Sequence, residues 1–394
     1  MKPTASRSAE AGSAIDLHVL HKLPTPYTDK FYRRLSRDPG VQLQVHHLWS
    51  TAAYLPWKTR LGTGYCNRYM KLFMGVDWYL VWLASTKRNA FFLVNDWGHL
   101  ASLAVIVARA VRRAPVGMWA DTPQEQLPRP LLKQWIRRLI FKVILPRLDV
   151  VFATGRPGVR AVIDMGVQED RTVNLPMFVD LDEPERARLR VDLEEAAKSL
   201  RARVGCAENG SVFTLVGQIA TKKGFDIGVE AFARFAATVN SPVGLIIAGD
   251  GPERSSLEAH VARRGITDRV AFLGWTEPES MLVVYLATDV LVHPARWEPY
   301  GVVVLEAMSW GKPVIGSDVC GSVVDRIESG ANGLAFSSED VNALAELMRR
   351  LVVDRGLRSS MGQAARATAE EWPMERGLDI LRAGLQSTIA RRAV

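Results

Sequence analysis

His293-Pro-Ala-Arg-Trp-Glu-Pro-Tyr-Gly-Val-Val-Val-Leu-Glu-Ala-Met-Ser-Trp-Gly-Lys-Pro-Val-Ile-Gly-Ser-Asp318 is the stretch that decides the fold. An apolar strand, Val290–Val292, runs into a short polar loop holding Glu298, Pro299, Tyr300 and Gly301. A helix begins there and is closed by Gly311-Lys312-Pro313, and a second buried strand, Val314-Ile315-Gly316, follows. Strand, loop, helix, strand is the repeating unit of a parallel α/β sheet. The loop also carries chemistry. The first four N–H groups of a helix lack intrahelical partners, and with the helix dipole they attract an anion. Glycine at 301 lets a phosphate come close. Glu298 precedes that site, and Glu306 lies about five residues into the helix, roughly 7 Å along its axis. A carboxylate inside the run Val302–Met308 is costly without a partner. Two carboxylates flanking an anion site suit a sugar–diphosphate–ribose ligand, because each accepts two hydroxyl hydrogen bonds.

Outward from this stretch the alternation continues. Strands are expected at Val212–Val216, Val243–Ala248, Val270–Leu273 and Leu334–Phe336. Helices are expected near 223–239, 253–264, 278–287, 301–310, 322–329 and 339–353, which makes a doubly wound domain. The first half repeats the pattern with strands Ile15–Leu20, Val41–Leu48, Phe91–Val94, Val116–Trp119 and Val150–Ala153. Phe31–Ser36, Leu100–Val111 and Leu131–Leu145 have helical spacing, the second reading as a buried helix covering the sheet. The stretch from Trp49 to Tyr79, rich in Trp, Tyr and basic residues, takes no assignment. Residues 180–205 switch to dense charge and read as a linker with an exposed helix. Asp180 and Asp182 lie in it as solvated residues rather than a metal-binding pair. An amphipathic helix, 374–391, follows Trp372-Pro373. The expected units are 1–180, a linker 181–205, 206–371, and a C-terminal helix 372–394.

The 394 residues allow two or three domains and an ample core. Cys66, Cys206 and Cys320 are isolated, without disulfide framework or metal spacing, so a reducing cytosol is expected. Met1 to Ala14 lacks an apolar core, so no signal peptide is expected. No apolar run reaches the ~18 residues needed to span a bilayer. Residues 1–180 carry 25 Lys/Arg against 13 Asp/Glu, and the remainder 25 against 29. A basic first half points to an anionic membrane surface or to nucleic acid. No nucleic-acid module appears, and nucleic acid is set aside. Residues 129–147 supply the membrane candidate. Leu131, Trp135, Leu139 and Val143 line one stripe, extended by Leu132, Ile136, Ile140 and Ile144, with Lys133, Arg137, Arg138 and Lys142 opposite. That pattern fits an anionic bilayer surface, or a helix packing its stripe on its own sheet.

Further strand ends carry turns: Gly217-Gln218-Ile219-Ala220-Thr221-Lys222-Lys223-Gly224, Ala248-Gly249-Asp250-Gly251-Pro252, Phe272-Leu273-Gly274-Trp275, His293-Pro294 and Asn332-Gly333. Such ends converge along one edge of a parallel sheet, where open α/β folds bind ligands. Lys223 is placed to reach a diphosphate, although the Gly-Lys-Ser/Thr of a P-loop is missing.

The order Gly-x5-Lys-Gly, Ala-Gly-Asp-Gly-Pro, Phe-Leu-Gly, His-Pro, Glu-x7-Glu and Gly-Lys-Pro-Val-Ile resembles glycosyltransferase family 4, retaining enzymes of the GT-B fold. The likeness covers Val212 to about Val353 and is only an outline before that. It implies two Rossmann-like domains with parallel sheets facing an inter-domain cleft. Residues 1–180 would take the acceptor and 206–371 the nucleotide-sugar, and the last helix would pack back on the first domain. Glu298 would contact the transferred sugar and Glu306 the ribose. Tyr300, Gly301 and Val302, with Lys223, would hold the diphosphate beside the strand-end glycines Gly217 and Gly249. Leu273 and Trp275 would lie near the base. No metal is implied, and no cofactor beyond the nucleotide-sugar co-substrate. Where the family usually has arginine, this chain has the neutral Gln218. On the acceptor side the resemblance points to Tyr27 and Asp29 in the loop Leu23–Asp29, and Asp121, in Trp119–Thr122 at another strand end, is expected to shape the acceptor pocket. The family's catalytic histidine is replaced by Asn95, which leaves Asp96 and His99 to orient or deprotonate the acceptor; Asp96 also suits a helix cap.

The expected activity is sugar transfer, with retention, from a nucleotide-sugar to a lipid-linked, polysaccharide or oligosaccharide acceptor. The expected place is the cytoplasm, peripheral on the cytosolic membrane face. The alternatives are a soluble transferase or phosphorylase acting on a small acceptor, and a non-catalytic nucleotide-sugar binder.

Overall fold

Strands β1 (Ile15–His21), β2 (Val41–His47), β3 (Cys66–Tyr69), β4 (Phe91–Val94), β5 (Val116–Ala120), β6 (Val150–Ala153) and β7 (Thr172–Asn174) form one sheet in the order β3-β2-β1-β4-β5-β6-β7. Strands β8 (Ser211–Val216), β9 (Val243–Ala248), β10 (Val270–Gly274), β11 (Val290–His293), β12 (Val314–Ser317) and β13 (Gly333–Phe336) form a second, ordered β10-β9-β8-β11-β12-β13. The computed structural model describes residues 14–49, 61–95, 98–120, 141–180, 183–207 and 209–393. Every pairing in both sheets is parallel. The central strands are apolar runs buried on both faces, as helix-covered parallel sheets require. Strand order reverses between β1 and β4, and again between β8 and β11. The carboxyl ends at such a switch point border a ligand crevice.

The chain passes between the sheets twice, at one place. Val179 pairs in parallel with Pro373, and Met374 N donates to Val179 O at 3.1 Å. The last helix, Met374–Ala393, then lies on the first sheet. Its Leu378, Leu381 and Leu385 are buried with Leu17, Val19, Phe152 and Phe178. Trp372, at the crossing, lies between the guanidinium groups of Arg326 and Arg376, 3.5 and 3.8 Å from the ring centre.

One buried cation organises the outer part of the first sheet. Arg109, on helix Leu100–Val111, is fully buried and donates to the carbonyls of Ala84, Lys87, Arg88, Ala90 and Pro115. It thus closes helix Trp78–Thr86 and fixes the chain entering β4 and β5. Arg109→Met would remove the donor these carbonyls share, leaving Lys87 O and Pro115 O only their backbone partners, and cost about 2–3 kcal/mol. The expected result is a lowered thermal midpoint; an unchanged midpoint would show that the carbonyls find other partners.

Several expectations change. The unassigned stretch holds β3 and the start of the helix Trp78–Thr86. Helix Leu100–Val111 is buried on one side only, through Ala101, Val105 and Ile106, and exposes Leu100, Val107 and Val111. The charged stretch, read as a linker with an exposed helix, does form helix Glu183–Ala202, but the end of that helix is not exposed. Ala197, Leu200 and Val204 pack against the helix Met281–Ala287, a stripe of few and small apolar groups easily hidden among charges. Helices Gly155–Asp164 and Arg355–Glu370 were not expected. Of the basic stretch 129–147, residues 129–140 lie outside the described residues. Phe141, Ile144 and Leu145 are buried beneath the first sheet.

Candidate functional site

The site is built by backbone collisions that only glycine avoids. A Cβ on Gly249 would lie 1.8 Å from Gly217 O, so the turns after β8 and β9 touch main chain to main chain. Gly224 has φ 65°, and a Cβ there would lie 2.0 Å from Pro294 O. The turn Thr221–Gly224 is thereby pressed against the end of β11. Arg296 N and Trp297 N then both donate to Lys222 O, at 2.9 and 3.0 Å, so the loop before Glu298 hangs from the lysine turn. The far side of that loop is held by Gly321 N, donating to Glu298 O at 3.1 Å, and Ser322 N, donating to Tyr300 O at 2.7 Å.

This scaffold brings three ionisable groups together. Lys223 Nζ is ion-paired with Glu298 Oε2. His293 Nε2 lies 3.5 Å from the same oxygen. Glu298 and His293 are both buried. Burial pushes the Glu298 carboxyl up, but His293 and Lys223 outweigh it and hold the group down at about 2. Burial would depress His293, yet neighbouring Cys320 and Glu298 hold it up at about 9. The carboxylate is therefore held ionised between the lysine and the imidazole. Helix Val302–Ser309 starts beside it at Gly301, φ 86°, with no side-chain cap on its first amides. Gly217, Lys223 and residues 298–303 line a cleft of about 320 Å³, which Met177, just after β7, closes from the first sheet.

Glu306 is half-buried one turn further on, and Tyr285 OH donates to its Oε2 at 2.5 Å. Tyr300 lines the cleft, and its hydroxyl is engaged elsewhere. Its buried phenol donates to Asp325 Oδ2 at 2.9 Å and accepts from Arg326 Nε at 3.2 Å, and its ring packs on Gly155 of the first half. Arg156 N donates to Asp325 Oδ1 at 3.1 Å, which extends that contact across the two halves. Gln218 is half-buried, and its amide has no hydrogen-bond partner among the described residues. Leu273 and Trp275 close β10 outside the cleft lining; Trp275 is exposed and its Nε1 donates to Glu277 at 3.0 Å.

Of the first-half candidates, Tyr27, Asp29 and His99 are not among the residues that line this cleft. Tyr27 OH accepts from Phe178 N at 3.0 Å and ties its helix to the crossing segment. Asp29 is paired with Arg33 at 2.6 Å. His99 caps helix Leu100–Val111, its Nδ1 accepting from Ala101 N at 3.2 Å. Asp96 and Asp121 lie outside the described residues. His293 and Tyr285 were not singled out for a role from the sequence, because each meets its glutamate only through the fold. Among the described residues, no group of three or more His, Cys, Asp or Glu is placed to hold a metal ion. A larger groove, about 680 Å³, lies beside helix Phe225–Ala236. Its charges satisfy one another, Glu230 accepting from Arg234, Arg264 and His260, and Asp226 from Arg296.

Residues 197–368 match the family described as Glycosyl transferases group 1. Those residues are a group 1 glycosyltransferase domain. The match agrees with the family 4 resemblance of the motifs, and it contains the lysine turn, both glutamates and the open helix start. The group 1 domain also accounts for the curated relatives. Alpha-D-kanosaminyltransferase of Streptomyces kanamyceticus is 33% identical over 174 residues, 44% of each chain. D-inositol 3-phosphate glycosyltransferase of Nocardia farcinica is 29% identical over 58% of this chain and 50% of that one. The chain covers less than half the length of several of these relatives. Whole-chain likeness appears in solved structures. Anabaena HepE in complex with UDP superposes with TM-score 0.74 at 18% identity, over 95% of this chain and 100% of that one. Sucrose-phosphate synthase of Thermosynechococcus elongatus gives 0.69 at 19%, over 96% and 100%. The fold around the group 1 domain is GT-B.

Proposed function

We propose that the chain is a retaining glycosyltransferase that moves a sugar from a nucleotide-sugar to a lipid-linked or polysaccharide acceptor at the cytosolic membrane face. One observation carries the reading: an ionised, buried carboxylate sits beside an uncapped helix start and a lysine, in a cleft that both sheets border. In this reading the diphosphate rests on the amides of residues 300–302, and Lys223 leaves Glu298 to bind it. His293 stays, so Glu298 remains ionised after the lysine moves. Lysine and amides neutralise the diphosphate without a metal or further cofactor. Glu298 faces the transferred sugar and stabilises positive charge as the glycosidic bond loosens. The acceptor oxygen bonds to the anomeric carbon on the face the diphosphate leaves, and a departing phosphate oxygen takes the acceptor proton. Configuration is retained. Residues 1–180 present the acceptor and 206–371 the donor. The unpartnered Gln218 supplies a neutral donor where an arginine would add charge, the one feature that favours a non-catalytic binder.

Glu306, preset by Tyr285, takes the ribose hydroxyls. UDP-, GDP- and ADP-sugars screened by thermal shift identify the donor. Glu306→Ala is expected to weaken its binding about ten- to hundredfold. Equal stabilisation of variant and wild type would remove the ribose assignment. The anomeric configuration of the product, read by NMR, tests retention, and inertness with every donor would favour the binder.

A further inference from the structure

The helix Trp78–Thr86 and the turn before it expose apolar groups on an unusual scale. Phe73 is 67% exposed and Met74 81%, and Trp78 and Trp82 are each 58% exposed. Exposed apolar residues scattered singly need no explanation, but these belong to one surface. Trp78 and Trp82 are one turn apart on the side away from buried Leu80 and Leu83. The helix packs on Leu100–Val111, whose outward stripe is Leu100, Val107 and Val111. Gly75 joins the two, since a Cβ there would lie 3.1 Å from Leu100 Cδ1.

The turn is held in place. Phe73 and Val76 exchange two backbone hydrogen bonds of 2.9 and 3.1 Å, with Met74 at φ 52° and Gly75 at φ 79° between them. Asparagine or glycine would occupy the Met74 position at less backbone cost. Both ends of the turn meet buried Asp77, which accepts from Lys71 N and Leu80 N, each at 3.0 Å, and pairs with Arg68 at 2.9 Å. A strained, fixed turn thus presents Phe and Met to solvent.

Charge names the occupant. Residues 61–120 contain seven Lys/Arg and two Asp/Glu. Lys71 is exposed beside the turn, Arg88, Arg112 and Arg113 are exposed past the far ends of the two helices, by Val111, and Arg68 lies 4.9 Å over the Tyr79 ring. The described acid of this stretch, Asp77, is buried. Amphipathic aromatics, an apolar tip and a basic rim match the headgroup zone of an anionic bilayer, where a protein partner would need an acidic, apolar counterpart. The turn follows β3 and meets the helix after β4, so it stands at the carboxyl edge of the first sheet, the edge where ligands enter.

We propose that this flank, tipped by Phe73 and Met74, is the surface that docks on an anionic membrane and brings a lipid-borne acceptor to the cleft. The proposal deepens the membrane part of the function above and rests on it. The full chain is sedimented with phosphatidylcholine vesicles, with and without phosphatidylglycerol. Wild type is expected to bind the anionic vesicles preferentially. Phe73→Ser/Met74→Asn is expected to bind about tenfold less, with donor-induced thermal shift retained and an unlowered melting midpoint. Lys71→Gln/Arg88→Gln should reduce the preference for phosphatidylglycerol. Undiminished binding by Phe73→Ser/Met74→Asn, together with loss in Arg137→Gln/Arg138→Gln, overturns this flank while leaving membrane action standing. No wild-type binding to any vesicle overturns both. Self-association of wild type that Phe73→Ser/Met74→Asn abolishes assigns the flank to a second copy of the chain and overturns the lipid proposal.

Discussion

Glu298→Gln is expected to lower kcat about a thousandfold, roughly 4 kcal/mol of transition-state stabilisation, while tightening the binding of the free nucleoside diphosphate. The opposed signs follow from the geometry. Lys223 is ion-paired with Glu298, and a diphosphate must compete for that lysine. A neutral glutamine releases it. Lys223 then faces the anion without a countercharge, so affinity rises. The chemical step loses the carboxylate that would balance charge at the anomeric carbon. A structural lesion would weaken both quantities together. Initial rates with the donor found by thermal shift, and calorimetric titration of the diphosphate, separate the cases. A rate within tenfold of wild type would remove Glu298 from the mechanism, and a loss of diphosphate affinity would show that the ion pair does not restrain Lys223.

Gly224→Ala is expected to cost about 4 kcal/mol of stability and to abolish donor binding at ordinary concentrations. The residue sits at φ 65°, and the added Cβ would lie 2.0 Å from a backbone oxygen that no rotamer change can move. The turn would have to lift away from Pro294, taking Lys223 with it. Gly205 is the control. It has φ 72° but nothing within 4 Å of the added Cβ, so alanine there pays backbone strain alone, about 1 kcal/mol. Urea denaturation of the two variants side by side gives the difference. Equal losses would mean that the Pro294 contact yields freely.

Much of the architecture is legible because buried parallel strands are continuous apolar runs. Val243–Ala248 is one, and its bounds are read correctly from residue type alone. What escapes reading lacks contrast. Trp78–Thr86 is apolar on both its buried and its exposed sides, so no helical period marks it. Arg355–Glu370 buries one large side chain, Met361, and beside it only Gly362, Ala365 and Ala369, too small to mark a helical stripe among charges. The loop–helix with Glu298, Gly301 and Glu306 is legible because glycine, proline and an out-of-place carboxylate are local signals. The partners of those carboxylates are not. Lys223 is 75 positions from Glu298, and Tyr285 is 21 from Glu306. Only the strand order at the β8–β11 switch turns those separations into contacts. On the acceptor side, the capping bond that His99 Nδ1 accepts from Ala101 N is a contact the residue type alone does not announce.

The paired passage at Val179 and Pro373 has a consequence for dissection. A single proteolytic nick in either strap leaves the other intact, so two cuts are required to part the lobes. A gene truncated after residue 180 encodes a sheet missing one wall, since Leu381 and Leu385 arrive from the far end of the polypeptide. An autonomous N-terminal fragment would need the final helix supplied in trans, or fused ahead of Ile15 by circular permutation.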